Sequence, residues 1–352
     1  MNEAWNLLGW NEQLETAKQA YDQQWTPARV VLEHKHLYRV LDEHGELLAA
    51  PSGKFRQTSD FPAVGDWVLV DARHDEGKAT IHALLPRKSK FSRKEAGAVT
   101  KEQIIAANVD YVYLVMALNQ DYNLRRLERY LLAAYDSGAL PCIVLSKGDL
   151  CGDIGQKLQE VENIAPGVDV YVTSAVDRRG IDAIEQQLTA GVTAAFLGSS
   201  GAGKSTLVNM LFGQEVQLAG AIRDDDGKGR HTTTHRELVQ LPGGGMIIDT
   251  PGMRELQLWN QHHTGMKSAF ADIDLLGGEC RFRDCTHSNE PGCRVQEAIE
   301  AGELEDERLH SYFKLQRELQ YLEGKTSVKA QQEQRKQFKQ LSKQVKQVKK
   351  RR

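Results

Sequence analysis

The eight residues Gly198-Ser199-Ser200-Gly201-Ala202-Gly203-Lys204-Ser205 constrain the fold of this 352-residue chain more than any other feature. They fit the pattern G-x-x-x-x-G-K-[ST] and lie between the apolar run Val192–Leu197 and the apolar-periodic segment Lys204–Phe212. A strand that feeds a glycine loop and then a helix begins a layered α/β architecture. The glycines let backbone N–H groups turn inward around phosphate oxygens, and the helix N-terminus adds positive potential. In this pattern Lys204 reaches the β and γ phosphates and the Ser205 hydroxyl ligates Mg2+. Thr206, next along the helix, is grouped with the phosphate-binding residues.

Two further motifs extend the nucleotide reading. Asp249-Thr250-Pro251-Gly252 ends the short strand Met246–Asp249. An Asp at a neighbouring strand end holds Mg2+, usually through water, and Gly252 would offer its N–H to the γ-phosphate. Ser146-Lys147-Gly148-Asp149 ends the apolar strand Cys142–Leu145, a position suited to reading a base. The Asp149 carboxylate can accept two hydrogen bonds from guanine N1–H and N2–H2, a pair that adenine cannot present. Thr173-Ser174-Ala175, after the strand Val168–Val172, can approach the base oxygen through backbone N–H groups.

Around these motifs the chain changes character along its length. Residues 1–25 read as an amphipathic lead-in carrying Leu7, Leu8, Leu14, Ala17 and Tyr21. Residues 28–85 hold the short β-rich runs Ala28–Leu32, Leu37–Leu41, Leu47–Ala50, Asp66–Val70 and Thr80–Leu85, which predict a small all-β barrel, with the oligonucleotide-binding type as one candidate. From residue 104 strands and helices alternate: strand Tyr111–Ala117, helix Leu124–Ser137, strand Pro141–Ser146, strand Val168–Thr173 and helix Ile181–Leu188. Val239–Leu241 and Met246–Asp249 flank a hairpin turn at Pro242–Gly245. This alternation predicts a mainly parallel sheet covered by helices. Residues 295–324 are strongly helical.

Cys280, Cys285, His287 and Cys293 give the spacing C-x4-C-x-H-x5-C. Four thiolate or imidazole ligands within fourteen positions suit one tetrahedral Zn2+, and with all four places filled by protein the site is structural. Cys142, in an apolar strand, reads as a core residue. Five cysteines make an odd count that argues against a disulfide framework and for a reducing cytoplasm. The longest apolar run, Tyr111–Leu118, is too short for a membrane helix, and the start of the chain lacks the pattern of a secretory signal. From Lys325 onward there are eleven basic residues and one acid. The formal net charge of −3 is therefore the balance of an acidic body of −13 and a tail of +10. Such a tail points to a polyanionic partner, or else to a solvated segment with none.

The order of the motifs is unusual. Base reading (146–149) and Ser-Ala (173–175) come before the phosphate loop (198–205) and Asp-Thr-Pro-Gly (249–252), whereas ordinary GTPases place the phosphate loop first. A permuted GTPase behind a β-barrel and ahead of a Cys/His cluster resembles the ribosome small-subunit-dependent GTPase A family. Further matching stretches are Phe61-Pro62-Ala63-Val64-Gly65-Asp66-Trp67-Val68, Ala107-Asn108-Val109-Asp110 and Gly229-Arg230-His231-Thr232-Thr233-Thr234. The resemblance runs from about residue 7 to 324. With it the chain divides into a lead-in (1–27), an OB-like barrel (28–100), a circularly permuted GTPase domain (101–270) and a zinc-binding helical domain (271–324), followed by the basic tail (325–352) that the charge count marks off. The resemblance also implies a cytoplasmic, monomeric GTP hydrolase with no membrane attachment, which acts on the small ribosomal subunit and its rRNA during late maturation, with Mg2+ accompanying GTP and one structural Zn2+.

The same resemblance places the first switch at Thr232, Thr233 and Thr234, one of which closes over Mg2+ and the γ-phosphate. Met253 stands where Ras-type enzymes carry the water-orienting glutamine, and methionine can neither donate nor accept there, so intrinsic hydrolysis is expected to be slow. His231 is the candidate to place the water. One departure is Ser146, where the family usually has Asn, with weaker nucleotide affinity expected. Two other readings compete: an ATP-dependent kinase or ATPase, against which Asp149 argues, and a guanine-nucleotide-dependent RNA-binding protein without significant turnover, against which Gly203-Lys204-Ser205 argues.

Overall fold

The computed structural model describes residues 3–34, 37–55, 60–94, 102–213, 236–249 and 264–322. His231, Thr232, Thr233, Thr234, Gly252, Met253 and the tail 325–352 lie outside these residues. The chain divides into two compact units, Met1–Arg93 with Ile104–Gln257, and Lys94–Gln103 with Leu258–Arg352.

In the first unit, β1 (Thr26–His34), β2 (Leu37–Asp42), β3 (Gly45–Pro51), β4 (Trp67–Arg73) and β5 (Lys78–Leu84) pair in the order β1-β2-β3-β5-β4. β4 then returns antiparallel to β1, with Ala28 opposite Val68, and closes a five-stranded barrel. β3 and β5 run parallel, the one non-antiparallel pairing in the barrel. Residues along β2 and β5 alternate between buried and more accessible, and Val30, Tyr38, Val40, Leu47, Val68 and Ile81 fill the interior. The barrel expected from the short β-rich runs is therefore present, with its strands within a few residues of their sequence bounds.

β6 (Lys90–Lys94) and β7 (Glu102–Ala107) make a separate two-stranded sheet. Beyond it the strands β8 (Tyr111–Ala117), β9 (Leu140–Ser146), β10 (Asp169–Val172), β11 (Thr193–Leu197), β12 (Glu237–Gln240) and β13 (Met246–Asp249) form one sheet in the order β10-β9-β8-β11-β13-β12. The first five strands of that order are parallel, and β12 is antiparallel to β13 as the hairpin reading anticipated. β8, β9 and β11 are buried over nearly their whole length, which is why they read as continuous apolar runs rather than alternating ones. The helix Leu124–Ser137 occupies its expected span. Asn123 caps it by accepting from Arg126 N–H, and Gly138 ends it in the left-handed region at φ 86°. The helix Ile154–Ile164, capped by Asp153, was not anticipated from the sequence.

Barrel and sheet are joined by strand pairing and by a set of buried polar contacts. β1 pairs with β12 at Leu32–Glu237, so the two sheets are continuous. Gly65, at φ 91°, lies where a Cβ would stand 2.1 Å from the Ala107 carbonyl, and Ala107 N–H donates to Val64 O at 2.9 Å. Asn108 donates to Gly65 O (3.0 Å) and accepts from Lys88 N–H (3.0 Å). Asp66 is fully buried against Arg87, which meets it with two bonds of 2.7 and 2.8 Å. Burial still pushes the Asp66 carboxyl above its ordinary value, although the Arg87 bonds oppose the shift.

At the centre of the junction Arg29 of β1 is only 1 % exposed. It donates to Leu8 O of the lead-in, to Thr193 Oγ1 of β11 (2.8 Å) and to Asn108 O (3.3 Å). Burial lowers its pKa to about 10, which leaves it cationic at neutral pH. The stretches Phe61–Val68 and Ala107–Asp110 are thus the mortise between barrel and sheet.

The second unit is helical, with Thr264–Ala269, Ala271–Gly278, Arg294–Glu300 and a helix over 306–322. Arg308, buried over the Phe270 ring at 4.8 Å, forms two bonds of 2.5 and 2.8 Å to Asp272 and fastens the last helix to Ala271–Gly278. No helix among the described residues is long and apolar enough to cross a membrane.

Candidate functional site

The parallel strands deliver their loops to one edge of the sheet, outside the carboxyl ends of the strands, where open α/β sheets bind ligands. β11 leads into Gly198. A Cβ there would lie 2.2 Å from the Val115 carbonyl of β8, so only glycine fits. Gly201 and Gly203 adopt φ 76° and 93°, left-handed values that fold the loop back before the helix Lys204–Phe212 begins. Gly201 has nothing within 4 Å of where a Cβ would be. Ser200, Gly201 and Thr206 are exposed, and Ala202 is buried beneath the loop. Lys204 Nζ bonds to the carbonyls of Gly198 (2.8 Å) and Ser199 (2.6 Å), lying across its own loop. Ser199 Oγ donates to Asp121, which also pairs with Arg126 at 2.5 Å. Burial alone would raise the Asp121 carboxyl, but the bonds from Arg126 and Ser199 outweigh it and hold it below its ordinary value.

The base-reading motif is adjacent. Ser146 ends β9, Lys147 takes a left-handed turn at φ 58°, and Gly148 N–H donates to Thr173 O at 2.9 Å. That bond places Ser174, buried, and Ala175, exposed, beside the loop. Asp149 is exposed in the following turn. A Cβ on Gly148 would meet Val172 Cγ1 at 2.9 Å, which accounts for glycine at this position. Ser146 Oγ, in turn, donates to Ala202 O in the phosphate loop at 2.5 Å. The serine thus keeps a bond from the base-reading loop to the phosphate loop, and what it lacks relative to Asn is the second polar atom. Ser146→Ala is expected to weaken GTP binding by about fivefold, and Ser146→Asn to strengthen it by about as much, each near ~1 kcal/mol. Nucleotide titration checks both.

Asp249 is the last residue of β13, next to β11 in the sheet, which brings its backbone to the edge that carries Ser205. A hydroxyl and a carboxylate are the oxygen donors that Mg2+ takes alongside phosphates. Cys142 lies in the core between the sheet and its helices, and burial pushes its thiol up to about 12, so it is an inert structural residue as expected.

In the second unit the loop between the helices Ala271–Gly278 and Arg294–Glu300 gathers Cys280, Cys285, His287 and Cys293, whose ligand atoms all lie within 4.8 Å of one another. Cys280 Sγ stands 3.9 Å from Cys293 Sγ, and His287 Nδ1 stands 3.6 Å from Cys280 Sγ and 3.5 Å from Cys293 Sγ. Thiolates at ~2.3 Å from a tetrahedral ion stand about 3.8 Å apart, so these separations fit a single four-coordinate metal. His287 takes φ 58° to turn its Nδ1 inward, and its carbonyl accepts from Gln296 at 2.6 Å.

A parallel sheet with the phosphate loop on β11, and with the base-reading loop on a strand that precedes it in sequence, defines a circularly permuted P-loop GTPase. The family model described as RsgA GTPase matches residues 84–259. A Lactiplantibacillus plantarum protein named small ribosomal subunit biogenesis GTPase RsgA 2 is 48 % identical over 299 residues, 83 % of each chain. The chain belongs to the RsgA GTPase family. Among solved structures it is similar to YjeQ from Thermotoga maritima (30 % identity, TM-score 0.65, 85 % of this chain and 99 % of that one). It is also similar to YloQ, described as a circularly permuted GTPase (26 % identity, TM-score 0.64, 86 % and 96 %). A model described as ABC transporter also matches, over residues 181–351, a span that contains the phosphate loop.

Proposed function

We propose that this chain binds the small ribosomal subunit and hydrolyses GTP during late maturation of that subunit. The observation that carries the reading is the bonded contact between two loops, Ser146 to Ala202, which joins the end of β9, just ahead of Asp149, to the glycine loop after β11 and so supports a single nucleotide site built from both. The names of the relatives support the ribosomal part.

In this reading Gly198, Ser199, Ser200, Gly201, Ala202 and Gly203 direct backbone N–H groups at the phosphates, Lys204 neutralises their charge, and Ser205 and Asp249 hold Mg2+. Thr206 supports the first helical turn. Asp149 selects guanine, and Lys147, Gly148, Ser174 and Ala175 frame the base. Mg2+ supplies charge neutralisation on the transferred phosphoryl group. His231 orients water, one of Thr232, Thr233 and Thr234 closes over the site, and Gly252 senses the γ-phosphate. Cys280, Cys285, His287 and Cys293 hold one structural Zn2+. The barrel, the zinc-binding helical domain and the basic tail contact rRNA, mainly through phosphates, and the protein acts as a cytoplasmic monomer.

GTP hydrolysis with and without purified small subunits, repeated at raised salt, tests the proposal. Turnover is expected to rise with subunits and the rise to shrink with salt, while excess ATP fails to compete. No stimulation would sink the ribosomal reading, and ATP competition would sink the guanine one. Replacing His231 by Ala is expected to remove most of the stimulated turnover at saturating GTP.

A further inference from the structure

One buried carboxylate takes no part in the nucleotide site or the Cys/His cluster. Asp42, the last residue of β2, is only 5 % exposed. Its Oδ1 is used, accepting from His44 N–H (2.8 Å) and Gly45 N–H (3.1 Å) to shape the β2–β3 turn. Its Oδ2 is buried and has no hydrogen-bond partner. Burying a carboxylate oxygen without a hydrogen bond is costly, and the His74 imidazole approaches this one only at ion-pair distance, 3.5 Å. Two imidazoles face it. His74 begins the turn His74–Gly77 between β4 and β5, with Nε2 3.5 Å from Asp42 Oδ2. His44 sits in the β2–β3 turn, its ring 4.6 Å from that of His74. One ligand atom from each of the three lies within 4.8 Å of the others.

We infer that Asp42, His44 and His74 form a second metal site, on the rim of the barrel, for a divalent transition ion of the Zn2+ class. Two imidazoles and one carboxylate are a ligand set that such ions take, with a further position open to water. Nitrogen and oxygen ligands at ~2.1 Å from a shared tetrahedral ion stand about 3.4 Å apart. The Asp42–His74 separation already meets that value, and the exposed His44 ring closes the remainder by side-chain rotation. Glu43, whose Oε1 lies 4.0 Å from His44 Nδ1, adds negative charge beside the site. The ion would give the buried Asp42 oxygen a cation at bonding distance and fasten the β2–β3 turn to the β4–β5 turn. These turns are 30 residues apart in sequence and adjacent only because β3 lies between β2 and β5 in the barrel.

The full-length protein with its Cys/His cluster filled is titrated with Co2+ and, separately by calorimetry, with Zn2+. The two sites differ in spectrum: thiolate ligation gives an intense charge-transfer band, and the nitrogen–oxygen set gives only weak visible bands. The expected result is a second equivalent per chain that adds weak bands alone. Asp42→Asn keeps the turn-forming acceptor, and His44→Ala and His74→Ala alter exposed side chains. Each variant is expected to weaken the second equivalent by about tenfold or more, with the thiolate band and basal GTP turnover unchanged. A single equivalent in the unaltered protein would overturn the inference. So would a second equivalent held equally well by Asp42→Asn, which would be adventitious histidine binding only.

Discussion

Replacing Lys204 by Ala is expected to cut GTP turnover by about 10²- to 10³-fold, the loss seen when one preorganised charge-stabilising donor is removed. The ammonium already sits over the phosphate loop, bonded to the carbonyls of Gly198 and Ser199 at 2.8 and 2.6 Å. On binding, it exchanges those carbonyls for phosphate oxygens. Leu207, Val208 and Leu211 of the same helix do the packing. The variant should therefore unfold at the same denaturant midpoint as the parent and still fail in turnover, with GTP affinity reduced as well. Retained turnover in a folded Lys204→Ala protein would favour a different nucleotide chemistry for the loop.

The second large effect is expected in the helical unit. Cys293 is buried, stands immediately before the helix Arg294–Glu300, and closes on Cys280 and His287. Cys293→Ala removes one of the four ligand atoms, and with it the tie between the start of that helix and Cys280 and His287. Structural zinc in small modules carries roughly 10–16 kcal/mol of apparent binding free energy, far more than the few buried side chains of this unit, such as Phe270, Ile273, Val295 and Leu309, can replace. The expected outcome is loss of the thiolate-bound equivalent and of amide protection across 264–322. Intrinsic GTP turnover persists, because β8–β11 and the phosphate loop lie in the other unit. Subunit-stimulated turnover is lost. Unchanged metal content and exchange protection would show that the cluster does not hold the unit together.

Local signals were legible where one segment carries both its pattern and its boundaries. Tyr111–Ala117, Leu124–Ser137 and Lys204–Phe212 occupy the spans read from sequence, each set by an unbroken apolar run, or by helical periodicity closed with a cap or a glycine. The four cysteine and histidine ligands converge because their spacing leaves little chain between them. The helix Ile154–Ile164 was missed although Asp153 caps it and Leu158, Val161 and Ile164 recur at helical spacing; Gly155 and a mostly polar surface weaken that signal. β6 and β7 likewise escaped notice. Pairings between distant segments leave no local trace. Neither the β1–β12 join nor the burial of Arg29 can be read from a strand-like run holding one charge, and Asp42 with His74 is a relationship that exists only once the barrel closes. The contacts of Phe61–Val68 with Ala107–Asp110, which bind barrel to sheet, exist only in three dimensions.

The position of β11 also bears on how the protein is made. This strand lies between β8 and β13, yet it is synthesised after β8, β9 and β10. A nascent chain that has emerged as far as residue 190 can close its barrel and assemble those three strands. The far edge of β8, buried along nearly its full length in the finished sheet, then has no neighbour. Open apolar edges invite pairing with other chains, and domains form as they leave the ribosome. Permutation thus makes the strand that carries the phosphate loop a late arrival, and β13, which covers its other edge, later still: from the completion of β8 until Asp249 is translated, the growing parallel sheet presents an open edge on a strand that ends up buried.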